Sequence, residues 1–511
     1  MTLSIEDMAT FCKRKGFVYP TAEIYGGLAG FWDFGPLGVE LKNNIKQQWW
    51  KHFIHNRNDV FGIDGAIITN KKVWEVSGHT TCFADLMLTS KKSKLKYRAD
   101  QYLAEKLGIS TDGITCDDVN RLVKEHKLTA ENGEEFEEVR PFNLMFDTTV
   151  GPVKSAQNIT YLRPETAQSI FINFHLVVDN ARAKLPFGIG QIGKAFRNEI
   201  SPRDFLFRSR EFEQMEIEFF VHPDKLHDCP FFDEVKNLKI QFLSAEQQEK
   251  KREHITVALH TLVDHKLTTQ WHAYWLGSFH QWFTYLGIKE ENLRIREHTK
   301  EELAHYAGAC FDIEYNFPFG WKEIHGNADR TQFDLTKHGE AASKSFALFD
   351  EDTKQKIIPY VAAEPSQGVE RLFLAIIYDA YDDDKTRGNI VLHLQPKLAP
   401  IQIGVFPLVN KLRDKATEVF KGVQKNFICQ YDKSGSIGRR YARADELGIP
   451  LCITVDFDSL TDNSVTLRDR ETTKQIRISI NELSSVIVQF FAGTSLLSLG
   501  KEVAPQVGDN N

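Results

Sequence analysis

The chain has 511 residues, of which 42% are hydrophobic, 12% aromatic and 26% charged, with a formal net charge of −7. That length exceeds one ordinary core and predicts roughly three compact units, ordered except at the ends. The charge excludes a surface that binds polyanions all over, so any nucleic acid must meet a local basic face. The seven cysteines are scattered without a CxxC pair and point neither to disulfides nor to a cysteine zinc site.

The opening MTLSIEDMATFCKRKG has no apolar core of signal-peptide length, and no run approaches about 18 uncharged apolar residues, so the chain is expected in the cytoplasm without membrane contact. From Gly35 a turn signal precedes Leu41, Ile45, Trp49 and Phe53 at near-helical spacing, which predicts a long amphipathic helix. Residues 100–140 are charged and polar and read as an inserted surface subdomain. Between Pro186 and Phe220, β-favouring runs flank the turn-prone SPRDF and predict two strands joined by a loop. Residues 232–305 read as mostly helical, with Lys250, Lys251 and Arg252 on a solvated helix face. After Pro365, the residues Val369, Leu372, Phe373 and Ile376 make one apolar stripe of a helix that points Arg371 elsewhere. From about residue 389, through the connector LQPKLAP, strands alternate with helices, which predicts a separate α/β unit ending in a loose tail.

The stretch GIGQIGKA matches GxGxxG at Gly188, Gly190 and Gly193 and nearly matches a phosphate loop. A phosphate loop needs a hydroxyl for magnesium after Lys194, where this chain has Ala195, and FRNEISPR does not open a long apolar helix. The match is rejected.

The segment FRNEISPRDFLFRSREFEQMEIEFF resembles the motif 2 hairpin of class II aminoacyl-tRNA synthetases, carried by Arg197, Glu199, Arg208 and Phe212. YVAAEPSQGVERLFLA resembles motif 3, with Arg371 on its helix. Further segments, among them FVYPTAEIYGGLAGFWDFGPLG, KYRAD, YLRPETAQ, FEQMEIE, FGWKEIHGNADR and EPSQG, are similar to the glycyl-tRNA synthetase family across most of residues 17–390. From LAPIQIGVFPLV through SGSIGRRYARADELGIP to VTLRDRET, the chain is similar to that family's anticodon-binding domain. Two departures stand out: Lys71 occupies the place where motif 1 ordinarily ends in proline, and TSKKSKLKYRAD lacks the cysteine pair of many bacterial relatives, so no zinc is implied there.

The resemblance implies an α+β catalytic domain over residues 1–390, built on an antiparallel sheet flanked by helices, with insertions at about 86–150 and 222–305. It also implies an α/β anticodon-binding domain over 395–490, followed by a tail over 491–511. The implied reaction joins glycine to ATP as glycyl-adenylate and then to the 3′ end of glycine tRNA, in a homodimer that engages neither membrane nor DNA. An anionic carboxylate must then approach a polyanion, for which fixed guanidinium groups are suited. By the resemblance, Arg197 holds the α-phosphate and Arg208 and Arg371 the γ-phosphate. Phe212 stacks on adenine with Arg371 on its other face, and Asn198, Glu199, Phe207, Ile324 and Gly368 line the nucleotide. Glu323 is the implied group beside magnesium.

Glycine offers an ammonium, a carboxylate and no side chain. The resemblance puts Glu165, Glu216, Glu364 and Ser366 around the ammonium and α-carbon, Arg98 near the carboxylate, and Phe212 and Gly368 at the edge of the pocket. In the C-terminal unit Arg439, Arg440, Tyr441, Arg443 and Glu446 are residue types suited to reading a single-stranded anticodon. Two rivals share this core: a non-catalytic paralogue that binds nucleic acid, and a threonyl, prolyl or histidyl synthetase. Retention of the ATP arginines argues against the first, and EPSQG and RPETAQ against the second.

Overall fold

A computed structural model describes residues 3–504 except 110, 112, 154, 156, 157, 305 and 352. Its centre is a 9-stranded sheet. In chain order the strands are β1 (Val60–Ile63), β2 (Phe187–Phe196), β3 (Glu211–Val221), β4 (Lys239–Leu243), β5 (Ile255–Ala258), β6 (Leu293–Glu297), β7 (Ala309–Phe317), β8 (Gly320–Asp329) and β9 (Tyr360–Gly368). They lie in the order β5-β4-β6-β7-β8-β9-β3-β2-β1 and are antiparallel except for the pairs β1 with β2 and β4 with β6.

Three helices cover one face: α2 (Pro36–Trp50), α4 (Gln270–Tyr285) and α5 (Val369–Ala380). In α2, Pro36 takes the first turn, where its missing N–H costs nothing, and Leu41, Ile45 and Trp49 are fully buried at intervals of one turn. Val369, Leu372, Phe373 and Ile376 of α5 are buried as their stripe predicts, while Arg371 stays outside the core. The other sheet face is capped at one end by α3 (Ala167–Ala181) over Phe187, Ile189 and Phe220. The remainder of that face is polar.

The glycines of GIGQIGKA sit inside β2 and not in a loop. A Cβ at Gly190 would lie 2.6 Å from Ile54, and one at Gly193 would lie 2.0 Å from the Arg163 guanidinium. They are glycines because side chains from both layers press on the strand.

Four expectations change. Residues 232–305 are not mostly helical: β4, β5 and β6 extend the main sheet, and only α4 is a long helix there. The segment Lys250–Arg252 follows the short helix Ala245–Glu249 and does not lie on a helix face. Lys71 does not end the strand after α2, because β1 stops at Ile63 and Lys71 opens a short helix capped by Asn70. The tail is partly structured: Leu496 is buried, and Lys501–Val503 pairs with a neighbouring strand, while residues 505–511 lie outside the described residues. The polar insertion, by contrast, has a small core of its own around Leu88, Tyr102, Leu103 and Phe136. No helix among the described residues is long and apolar enough to cross a membrane.

The C-terminal unit is a 6-stranded sheet of β10 (Ile403–Pro407), β11 (Cys429–Tyr431), β12 (Leu451–Val455), β13 (Ser464–Asp469), β14 (Gln475–Ser479) and β15 (Lys501–Val503), ordered β11-β10-β12-β13-β14-β15. It is clamped to the first unit. Asp445, at the end of α6 (Ile437–Glu446), is buried against Arg468 at 2.8 Å and Arg387 at 3.3 Å, and Glu446 pairs with Lys15 of α1 (Ile5–Lys15). Arg470 donates to the carbonyls of Gly448 (2.7 Å) and Leu394 (2.5 Å), tying the connector to the second unit.

The core beneath the sheet holds three buried histidines, His272, His280 and His325, and burial pushes each down to about 4. The unfolded chain takes up these protons near pH 6.5 while the folded chain refuses them. Their contribution is therefore complete above about pH 6.5 and is lost as pH falls towards 4, on the order of 3 kcal/mol per histidine. The thermal midpoint should drop between pH 6.5 and 4, and His280→Leu should make the drop shallower. An unchanged slope in that variant would contradict the assignment.

Candidate active site

Two-residue alternation builds the site. Along β3, Met215, Ile217 and Phe219 enter the core, so Phe212, Gln214, Glu216 and Glu218 fall on the opposite face. The same rule puts Glu364, Ser366 and Gly368 of β9 on that face. Register then lines them up: Glu216 is opposite Ser366, and Ser366 is opposite Gly326 of β8, which is opposite Asp312 of β7. A bulge in β8, where His325 pairs with Ile313 but Glu323 with Glu314, brings Glu323 back onto the site face. Ile324 is the extra residue, and its side chain is in the core. It can offer a nucleotide only its backbone.

At one end of this face, arginines converge. Arg197 donates to the carbonyl of Pro164 (3.1 Å), and its guanidinium lies 5.3 Å from the Phe212 ring centroid. Arg208 faces the buried Glu199 at 3.8 Å. Arg371 pairs with Glu323 at 2.9 Å, donates to the carbonyls of Phe207 (3.1 Å) and Glu323 (3.2 Å), and stacks 4.5 Å from the Phe207 ring. These arginines line one pocket with Glu199, Phe207, Phe212, Glu323, Ser366 and Gly368. The ring that Arg371 covers is thus Phe207, and Phe212 is faced by Arg197, because two carbonyls and Glu323 fix the Arg371 fork. Burial opposes ionisation of Glu323, but Arg371, His298 and Arg197 hold its carboxyl below the usual range. Asn198, outside that pocket lining, donates its backbone N–H to the carbonyl of Leu144 at 2.7 Å.

At the other end, carboxylates converge. Glu216 accepts from the Thr166 hydroxyl, and Gln214 donates to Ser366 at 3.3 Å. Glu165 faces His79 at 3.3 Å and accepts from Gln168 at 3.1 Å. Although burial resists it, His79 and Arg330 keep the Glu165 carboxyl well below the usual range. Glu364 accepts from Arg330 at 2.7 Å, yet burial, reinforced by Glu216 and Glu165, pushes its carboxyl up. Arg330 is itself buried, bound to Asp334 at 2.8 Å and stacked 4.0 Å from Tyr306.

The remaining predicted residues are placed as follows. Arg98 pairs with Asp85 (3.2 Å) and Asp100 (2.8 Å) and shares its field with Glu199, on the arginine side of the face and away from the glutamates expected around the ammonium. Its strand belongs to the insertion, and the two aspartates hold it there. In the C-terminal unit, Arg440 is buried and donates to the carbonyl of Leu408 (3.2 Å), Tyr441 bonds Thr454 (2.6 Å), Arg443 pairs with Asp432 and Glu446 with Lys15. Of those five, Arg439 alone is exposed with no recorded partner among the described residues. Sequence reasoning also missed Glu218, Thr166, Arg330 and Asp334. Glu218 was within reach, lying two residues beyond Glu216 on one strand; Arg330 and Asp334 carry no local signal.

Comparison with known proteins agrees with this geometry. The family described as "tRNA synthetase class II core domain (G, H, P, S and T)" matches residues 153–380, and the "Anticodon binding domain" family matches residues 402–490. The chain is 45% identical over 494 residues to a glycine–tRNA ligase of Caldanaerobacter subterraneus subsp. tengcongensis, covering 95% of this chain and 98% of the relative. It is 44% identical to that of Bacillus anthracis over 95% of this chain and 98% of the relative. With that of Geobacillus kaustophilus the identity is 43%, over 96% of this chain and all of the relative. An arginine-lined pocket, a carboxylate floor and near full-length likeness converge: the chain belongs to the glycine–tRNA ligase family of class II tRNA synthetases.

Proposed function

We propose that this chain activates glycine with ATP and transfers it to the 3′ end of glycine tRNA. The observation that carries the reading is the sorting of charge on one sheet face, guanidinium groups at one end and carboxylates at the other. A glycine carboxylate oxygen attacks the α-phosphorus of ATP, the bond to the bridging oxygen breaks, and pyrophosphate leaves. Arg197 lies where the α-phosphate must sit if adenine rests on Phe212, and Arg208 and Arg371 receive the γ-phosphate. Glu199, Asn198, Phe207, the Ile324 backbone and Gly368 shape the rest of the nucleotide site. Positive groups fixed in advance stabilise the crowded charge of the transition state without reorganising. Magnesium fits beside Glu323, whose carboxylate and that of the neighbouring Asp312 are the hard oxygen donors it prefers; when bound it would neutralise phosphate charge. No protein nucleophile takes part.

The glycine ammonium is met by Glu216 and Glu364, with Glu165 and Ser366 beside them. Glycine brings no side chain, and a methyl forced into a filled pocket costs about 1–3 kcal/mol. Arg98, in the field of Glu199 on the arginine side, is available to the glycine carboxylate. The C-terminal unit contacts tRNA through exposed groups such as Arg439, and the exposed apolar side chains Ile24, Tyr25 and Leu28 suit a homodimer interface. The setting is the cytoplasm.

Arg371→Ala should lose about 2.7–4 kcal/mol of transition-state stabilisation, roughly 100- to 1000-fold in glycine-dependent ATP–pyrophosphate exchange. Near-normal exchange by a folded variant would remove Arg371 from this role. Glu216→Gln should raise the KM for glycine about 10- to 100-fold with little change for ATP, because a neutral amide replaces one charge facing the ammonium. Equal effects on both substrates would place the ammonium elsewhere.

A further inference from the structure

The carboxylate oxygens of Glu216, Glu218 and Glu364 lie within 4.8 Å of one another. Glu216 and Glu364 have partners, the Thr166 hydroxyl and Arg330. Among the described residues Glu218 has none: its side chain is fully buried, and neither carboxylate oxygen meets a hydrogen-bond donor. The groups facing it are Glu216 on its own strand, Glu364 on β9, Arg330 beyond β8 and Asp334 at the start of the helix Phe333–Ala342. Glu165 adds its field at Glu216. Among the described residues Arg330 is the one arginine acting on these three carboxylates, and it is already shared between Asp334 and Glu364. Carboxylates this close in a dry interior do not all ionise, so the group retains a proton whose titration belongs to the cluster. Glu218, with no donor aimed at it, is where that proton is least opposed.

We propose that Glu218 holds a proton in the empty pocket and that capture of an amino-acid ammonium by Glu216 and Glu364 expels it, so that glycine binding is coupled to proton release. The inference rests on the reading that the glycine ammonium sits at those two carboxylates. Glycine arrives as a zwitterion with its ammonium intact. The O–H bond of the Glu218 carboxyl breaks, its electron pair stays on the carboxylate, and the proton passes to bulk buffer. The incoming cation then balances the charge left behind. Burial and the neighbouring Glu364 push the Glu218 carboxyl well above its usual range, in keeping with this exchange. Glu218 is a positioning residue: it acts through Glu216 and Glu364 and does not touch the substrate. The arrangement also selects, since a ligand without an ammonium has nothing to offer in exchange for the proton.

Titration calorimetry tests this on the full chain with a non-hydrolysable ATP analogue present. At pH 7, the heat of glycine binding should vary with the ionisation heat of the buffer, corresponding to release of close to one proton. Affinity for glycine should tighten about tenfold per pH unit from pH 6 to 7, since one proton must leave for each molecule bound. Glu218→Gln should release less than half as much and flatten the pH dependence of the KM for glycine, with kcat little changed. A structural role alone would not move the proton count. Buffer-independent heat in the unaltered protein overturns the proposal without recourse to any variant, and so does a Glu218→Gln protein that still releases a full proton. An unchanged glycine affinity in Glu216→Gln would instead overturn the placement of the ammonium on which the coupling rests.

Discussion

A strand buried on both faces can keep charge and core apart only by alternation, and β3 does this from Gln214 to Phe219. Met215, Ile217 and Phe219 hold the sheet to its helical layer, while Gln214, Glu216 and Glu218 lie on the site face. The two functions cannot be varied independently, because a one-residue slip would put three polar side chains into the core and three apolar ones into the site. Strand β9 obeys the same rule from Glu364 to Gly368, and the bulge in β8 turns Glu323 towards the arginines.

Charge in a dry interior is costly unless paired, and the two ends of the site meet that cost differently. The arginines are held by carbonyls and by Glu199 and Glu323, which keeps them extended towards the space the phosphates must occupy. Among the described residues, the cluster of Glu216, Glu218 and Glu364 faces one arginine, Arg330, so that end of the site is left short of positive charge. That imbalance suits a substrate whose recognisable feature is one ammonium. The same logic couples the two sheets: Asp445 sits between Arg468 and Arg387, and the connector is tied down by Arg470, so the C-terminal unit is fastened to the catalytic one by buried charge and not by an apolar seam alone.

Much of this was legible from the residues. The helix of Leu41, Ile45 and Trp49, the hairpin around SPRDF and the stripe opposite Arg371 follow from spacing. Arg197, Arg208, Phe212, Glu323 and Arg371 come together as the motif resemblance implied. What was not legible depended on long-range pairing. Residues 232–305 looked helical because α4 dominates the pattern, while the short strands β4, β5 and β6 are strands only by joining a sheet built elsewhere in the chain. Arg440, Tyr441 and Arg443 have the composition of a nucleic-acid contact, yet the fold uses them to satisfy carbonyls, a hydroxyl and Asp432. Arg98 was assigned by its motif to the substrate carboxylate, and Asp85 and Asp100 hold it on the arginine side.

An amino acid recognised by its ammonium, in a pocket closed to a side chain, sets a sharp expectation for specificity. ATP–pyrophosphate exchange measured across the amino acids tests it directly. Glycine should drive exchange, and alanine and serine should fall at least tenfold below it, as about 1–3 kcal/mol of steric refusal requires. Exchange driven equally by alanine, threonine or proline, or none with any amino acid by a folded protein, would contradict it.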